Sequence, residues 1–158
     1  MRDYSLKIAE EIEQFLRDDD WRFDPADENG MIRLSVSLKC KFSKCRVSIQ
    51  VRKNSYLIVS SLPITADEAS RPAVMEFLTR ANYGLILGNF EMDLSDGEVR
   101  YKCAQYCGNE NVLISGEIIK ETLYVGLSML ERYGTPLLEV MMGMTTPVDA
   151  LKKAEGDS

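Results

Sequence analysis

Two neighbouring segments alternate apolar and polar residues with a period of two, and this pattern limits the folds open to the chain. In residues 32–40, IRLSVSLKC, and residues 45–51, CRVSIQV, every second residue is apolar. Such alternation is typical of strands that bury only one face. A turn at residues 42–43 would place Val36 opposite Ile49 on the apolar side. The two segments therefore predict an antiparallel pair with one face towards a core.

The chain that follows this pair predicts a third strand. A second reversal at residues 53–54 would pair Val51 with Tyr56 and complete a three-strand meander. The first turn would also place Cys40 opposite Cys45 on the apolar side, so a cross-strand disulfide is geometrically conceivable.

A hairpin is predicted by the stretch FEMDLSDGEVRYKC, residues 90–103, which alternates on both sides of an Asp-Gly dipeptide. Asp-Gly is a preferred two-residue hairpin turn. It would pair Leu94 with Val99 inside and Asp93 with Arg100 outside. A neighbouring base keeps an acid ionised instead of raising its pKa. The charges therefore indicate two complementary strand faces and not a pair of catalytic carboxylates.

Apolar residues at helical spacing predict the helical segments. A capping box formed by Thr65 and Glu68 precedes the second helix, and Gly134 is expected to end the long apolar third one. The predicted segments are residues 5–18, a helix from about 70 to 82, residues 115–133, a short helix from 135 to 142, and one or two turns from 146, followed by a frayed tail at about 153–158.

Composition excludes several classes of function. The chain of 158 residues has no histidine, which removes the Ser-His-Asp and Cys-His arrangements of nucleophilic catalysis. A formal net charge of -6 opposes binding to a phosphate backbone. No segment has the apolar length of a membrane span, and the first residues do not form a signal peptide. We therefore expect a single domain over residues 1–158 that is cytoplasmic, is not an enzyme, and binds neither nucleic acid nor membrane.

Four cysteines could in principle hold a metal ion. Cys40 and Cys45 have the spacing C-x4-C, and Cys103 and Cys107 have the spacing C-x3-C. Structural zinc sites commonly use tighter C-x2-C pairs. The spacing favours buried thiols over zinc, and no cofactor is predicted.

The predicted order of elements is helix, three-strand meander, helix, hairpin and helical C-terminus. This segregation indicates an α+β fold, in which an antiparallel β-sheet packs its helices on one face.

Three parts of this order resemble the YbjN-like family of bacterial proteins: residues 71–105, the long apolar helix that follows them, and residues 137–155. In that family a helix ending near an Asn leads into a G-x-F-x-x-D hairpin, and a late Gly precedes a T/S-P-x-x-A-L turn. The matching residues are Asn82, Gly88, Phe90, Asp93, Gly97, Tyr101, Gly143, Pro147, Ala150 and Leu151.

The resemblance implies a fold and a broad role. It implies a fold similar to the chaperones of type III secretion systems, which are cytoplasmic homodimers that hold extended segments of partner proteins. Family members are labelled sensory transduction regulators, and the resemblance supplies no catalytic position.

The sequence therefore leaves two hypotheses for the function of the protein. The first is a non-enzymatic, chaperone-like or regulatory protein that binds segments of a partner protein as a homodimer. The second is a regulator that binds a small molecule or metal in a cleft between sheet and helices or at the cysteines. Methionine suits adaptable binding surfaces, although it also fills cores and dimer interfaces. The candidate partner-binding residues are Met129, Met141, Met142 and Met144.

Overall fold

The computed structural model of the protein describes residues 2–109 and 114–156. Five strands form one antiparallel sheet in the order β1-β2-β3-β5-β4. The strands are β1 (Met31–Ser37), β2 (Lys44–Val51), β3 (Ser55–Ser61), β4 (Asn89–Met92) and β5 (Val99–Tyr106), and the helices are α1 (Leu6–Asp18), α2 (Arg71–Asn82), α3 (Gly116–Met141) and α4 (Pro147–Glu155).

The predicted α+β fold is confirmed, with a three-strand meander, a hairpin and helices on one face. The alternation seen in the sequence matches burial along β1 and β2, where every second residue is buried. Strand β3 joins the hairpin to the meander by pairing with β5. Within the described residues, no helix is both long enough and apolar enough to span a membrane.

Helix α3 lies across the inner face of the sheet and buries 12 of its 26 residues. The hydroxyl groups of Tyr56 on β3 and Thr122 on α3 share a buried hydrogen bond of 2.8 Å. At Gly126 the helix approaches β3 closely, since a Cβ there would lie 3.1 Å from Ser60 Oγ. Packed side chains therefore fill the space between β3 and the middle of α3.

The predicted register of β1 against β2 is wrong by four residues. Val36 lies opposite Cys45, not Ile49, so Cys40 is not opposite Cys45. The connection is longer than a two-residue turn, and Ser43 adopts a positive φ of 67°. The buried face is unchanged because a shift by an even number of residues preserves the alternation. The β2–β3 register, with Val51 opposite Tyr56, is as predicted.

Two side chains of α3 fix the β1–β2 connection in place. The carboxylate of Glu131 accepts hydrogen bonds from the backbone N–H groups of Lys39, at 2.6 Å, and Cys40, at 3.0 Å. One helical turn later, Thr135 Oγ1 accepts from the N–H of Lys41 at 3.1 Å. Three successive backbone donors are thus satisfied from α3, which is a tertiary contact that the local sequence does not reveal.

Helix α3 continues through Gly134 and Pro136, so the predicted break at Gly134 is wrong. Gly134 does not end the helix. It lets α3 pack closely against Cys40, because a Cβ at this position would lie 2.7 Å from Cys40 Sγ. Helix α4 also runs further than predicted. It reaches Glu155, whose carboxylate accepts a hydrogen bond of 2.8 Å from the Tyr133 hydroxyl. Three residues of the expected frayed tail are therefore helical, and residues 157–158 lie outside the described part.

The hairpin of β4 and β5 exists, but its turn is longer than the predicted Asp-Gly turn. Met92 pairs with Val99, and the connection covers residues 93–98. Leu94 is consequently 57% exposed instead of inside. Asp93 does not pair with Arg100, because its carboxylate accepts from the N–H and hydroxyl of Ser95 within the turn.

Helix α2 begins near Ser70, as predicted, although the Thr65–Glu68 capping box is not formed. The helix starts at Arg71, too late for Thr65 to be its N-cap. The Asp67 carboxylate instead accepts from the Ser70 N–H at 2.8 Å.

Candidate functional site

The side of the sheet away from the helices, which we call the open face, is the first candidate surface. It is concave, and the concavity has a volume of about 840 Å³. Residues 22–24 form one rim, since Asp24 pairs with Arg33 of β1 through two backbone hydrogen bonds of 2.8 and 3.3 Å. The open face is therefore a shaped surface bounded by a rim.

Basic side chains dominate the open face although the chain as a whole is acidic. Alternation along each strand sends these side chains outward, and the registers align most of them in rows that cross the sheet. One row is Ser35, Arg46, Ser61, Arg100 and Glu91, and the next is Arg33, Ser48, Val59, Lys102 and Asn89. Lys44, the first residue of β2, also points outward. The outward strand positions therefore carry five cations and the carboxylate of Glu91.

Ion pairs neutralise part of this charge. The guanidinium of Arg33 lies 2.8 Å from an Asp27 carboxylate oxygen. Arg100 Nε and Lys102 Nζ both donate to Glu91, at 2.5 and 2.7 Å. Burial alone would raise the pKa of the Glu91 carboxyl, but the hydrogen bonds from Lys102 and Arg100 hold that pKa below its usual range. Glu91 therefore stays ionised and shares its charge between two cations.

Arg46 is a cation near the middle of the open face with free donors. It is exposed, lies between Ser35 and Ser61 in the register, and forms no ion pair or hydrogen bond through its side chain with any described residue. A free guanidinium presents a planar fork of N–H donors that matches a carboxylate or phosphate. The centre of the open face can therefore bind an anionic group.

A second candidate surface surrounds the connection between α2 and β4. Tyr83 is 91% exposed and Ile86 is fully exposed, at 100%. Leu87 and Ile118 beside them line a separate concavity of about 320 Å³ near the start of α3. We call the group Tyr83, Ile86, Leu87 and Ile118 the loop surface. Monomeric proteins rarely cluster such large apolar side chains in contact with water.

Backbone geometry holds the loop surface outward. The segment Leu85-Ile86-Leu87 is flanked by Gly84 and Gly88, whose φ angles are 93° and 77°. At Gly88 a Cβ would lie 2.6 Å from the ring of Tyr101, so the close approach also requires glycine. The Tyr101 hydroxyl donates to the Leu87 carbonyl at 2.5 Å and fixes the end of the loop.

The four candidate methionines do not form one surface. Met141 is only 9% exposed and belongs to the core, and Met129 packs partly buried against it. Met142 is 65% exposed, and Met144 is exposed beside it at the end of α3. Only Met142 and Met144 are placed where they can contact a partner.

The different burial of Met141 and Met142 predicts different effects of substitution on stability. We expect Met141→Asp to lower the free energy of unfolding by about 3 kcal/mol, because it places a charge in the core. Met142→Asp should change it by less than about 0.5 kcal/mol, because the side chain is exposed. Urea denaturation followed by circular dichroism measures both values, and equal losses would contradict this placement.

All four cysteines are buried and free. Burial raises the pKa of each thiol, and it raises the pKa of Cys45 to about 12. The thiolate is the form that binds metals and exchanges disulfides, so burial suppresses both reactions at neutral pH. The described residues contain no group of three or more His, Cys, Asp and Glu side chains that could hold a metal ion. Burial therefore favours packing roles for the cysteines.

Neither surface was assembled by reasoning from the sequence. The outward orientation of Arg33 and Arg46 follows from alternation, but their rows depend on the strand order, which has no local signal. The loop surface did leave a signal, since the apolar run Leu85-Ile86-Leu87 between two glycines is unusual for a connection.

Comparison with known proteins agrees with this architecture. A chain of the structure described as "Crystal Structure of the ExsC-ExsE Complex" has a TM-score of 0.52 and 15% sequence identity to this protein. The alignment covers 83% of this chain and 93% of that chain, and it confirms the type III secretion chaperone-like fold. No curated protein matches the sequence. Residues 9–139, most of the chain, match the YbjN family, described as "Putative bacterial sensory transduction regulator". The protein therefore belongs to the YbjN family.

Proposed function

We propose that this protein is a non-enzymatic protein-binding module, chaperone-like or regulatory, that acts in the cytoplasm as a homodimer and binds segments of partner proteins. The observation that carries the proposal is the complete exposure of Ile86 beside Tyr83 on the loop surface. Burying a large apolar side chain contributes about 1.5–3 kcal/mol of favourable free energy relative to leaving it in water. A second protein that covers the loop surface would recover this free energy.

The shape of the loop surface suits a second copy of the chain. Ile86 is fully exposed, and the 320 Å³ concavity lies near it on the same surface. The lining of the concavity combines apolar Leu87 and Ile118 with Thr122, Gln105, Glu117 and Glu121. In a two-fold dimer the same patch meets itself, so a projection beside a recess is self-complementary. Each Ile86 would then fill the recess of the other protomer.

The family and the fold neighbour support the protein-binding role. The family description refers to regulation, and the similar fold is known from a complex of ExsC with ExsE. Both fit a protein that acts by binding another protein.

Substitution at the loop surface tests the homodimer. We expect Ile86→Asp to shift the protein from dimer to monomer, because each new carboxylate would enter a recess already lined by Glu117 and Glu121. Leu94→Asp is the matched control, since Leu94 is an exposed apolar residue of the other turn. Size-exclusion chromatography with light scattering measures the molar mass of each protein. A monomeric wild-type protein, or a dimer that survives Ile86→Asp, would overturn the proposal for this surface.

A further inference from the structure

The open face has chemistry that differs from the rest of the chain. Cations crowd its outward strand positions, whereas the chain carries a formal net charge of -6. Such a local reversal of sign attracts and orients a partner of opposite charge. The partner of this face is therefore expected to be anionic.

The distance between the outermost cations of a row indicates the minimum length of a partner that contacts them all. Arg33 on β1 and Lys102 on β5 share one row and are separated by three strand spacings, or about 14 Å. One carboxylate or phosphate group cannot reach both ends. An extended segment advances about 3.3 Å per residue, so four or five residues cover this distance.

The row also offers places for residues that are not charged. Ser48 and Val59 stand between Arg33 and Lys102, and Ser35 and Ser61 flank Arg46 in the neighbouring row. Small hydroxyl side chains leave room for a backbone and can hydrogen-bond to it. An extended polypeptide with acidic residues among small or apolar ones matches this alternation of cations, hydroxyls and Val59.

We infer that the open face is the docking site for an extended acidic segment of a partner protein, with Arg46 as its central contact. The inference rests on the proposed function, because it assigns a surface and a chemistry to the partner. A second copy of the chain does not suit this face, since two copies meeting through it would oppose like charges.

Fluorescence anisotropy with the full-length protein tests the inference. The probe is a fluorescein-labelled ten-residue peptide that alternates Glu with Val, and the matched peptide carries Gln in place of every Glu. A ten-nucleotide oligouridylate tests whether the face binds phosphate instead. We expect the Glu peptide to bind at least about tenfold more tightly than the Gln peptide, because charge-assisted hydrogen bonds to Arg46 would be lost.

Matched variants locate the binding surface. Arg46→Gln should weaken binding of the Glu peptide about fivefold to tenfold, and the double variant Arg33→Gln with Arg46→Gln should weaken it further. Arg80→Gln removes the same charge from α2, where Arg80 pairs with Glu76, and should change binding less than twofold. All three sites are exposed or partly exposed, so the variants are expected to fold.

Several results would overturn the inference. They are absence of peptide binding, equal binding of the Glu and Gln peptides, equal effects of Arg46→Gln and Arg80→Gln, or tighter binding of oligouridylate. The proposed homodimer has a separate test, since Ile86 lies off the open face. Lost peptide binding with an intact dimer would reject the inference alone, and a monomer that binds the Glu peptide would reject the dimer alone.

Discussion

Gly97→Ala is expected to lower the free energy of unfolding by about 3–5 kcal/mol, a loss that could unfold much of a marginally stable domain. Gly97 has a φ of 81°, which costs a residue with a Cβ about 1–2 kcal/mol. A Cβ at this position would also lie 1.9 Å from the carbonyl oxygen of Ala66. Relieving that clash requires moving the backbone, which breaks the 2.8 Å hydrogen bond from the Ala66 N–H to the Gly97 carbonyl.

Gly84→Ala is the matched control for this substitution. Gly84 has a φ of 93°, but nothing lies within 4 Å of the position of its added Cβ. We expect a loss of about 1–2 kcal/mol there, from backbone strain alone. Urea denaturation monitored by circular dichroism gives both free energies. Equal losses at Gly97 and Gly84 would show that contact with Ala66 does not restrict residue 97.

Glu131→Ala is the second substitution with a large expected effect, a loss of about 2–3 kcal/mol in the free energy of unfolding. Its carboxylate is the acceptor for the N–H groups of Lys39 and Cys40. Hydrogen bonds to a charged group contribute about 1.5–3 kcal/mol, and solvent around the Lys39 bond lowers the combined effect. Glu131 therefore stabilises the connection between β1 and β2 as well as its attachment to α3.

The control for Glu131→Ala is Glu10→Ala. Glu10 is exposed on helix α1 and forms no ion pair or hydrogen bond through its side chain among the described residues. Because Ala and Glu both favour helices, this change should cost less than about 0.5 kcal/mol. Hydrogen exchange supplies a local readout, since the amides of Lys39 and Cys40 should lose protection only in Glu131→Ala. Unchanged protection at both amides would contradict the assigned role.

Sequence reasoning succeeded where local pattern determines structure. Alternation identified the strands, and the short reversal near Asn54 fixed the register of Val51 opposite Tyr56. The predictions were wrong where contacts with an element distant in the sequence determine the local structure. The β1–β2 register depends on Glu131 reaching the connection from α3, and Gly134 is required by contact with Cys40 and not by a helix end.

For the candidate surfaces too, local pattern predicts the orientation of side chains but not which of them lie together. Alternation predicts that Arg46 and Arg100 point away from the core, but only the strand order shows that they share a row. Spacing alone also could not separate Met141 from Met142. The two residues are adjacent at the end of α3, yet Met141 is buried and Met142 is exposed. Burial depends on where α3 packs, which is a property of the whole fold.

Site-specific photo-crosslinking in the native bacterial host tests the central claim, that this protein acts by binding other proteins, most directly. A photoreactive benzoylphenylalanine replaces Ile86 on the loop surface, Ser48 on the open face, or Leu94 as the control. The account predicts a product of twice the chain mass from position 86, products with other proteins from position 48, and neither from position 94. Crosslinking at positions 86 and 48 that does not exceed the level at position 94 would contradict it.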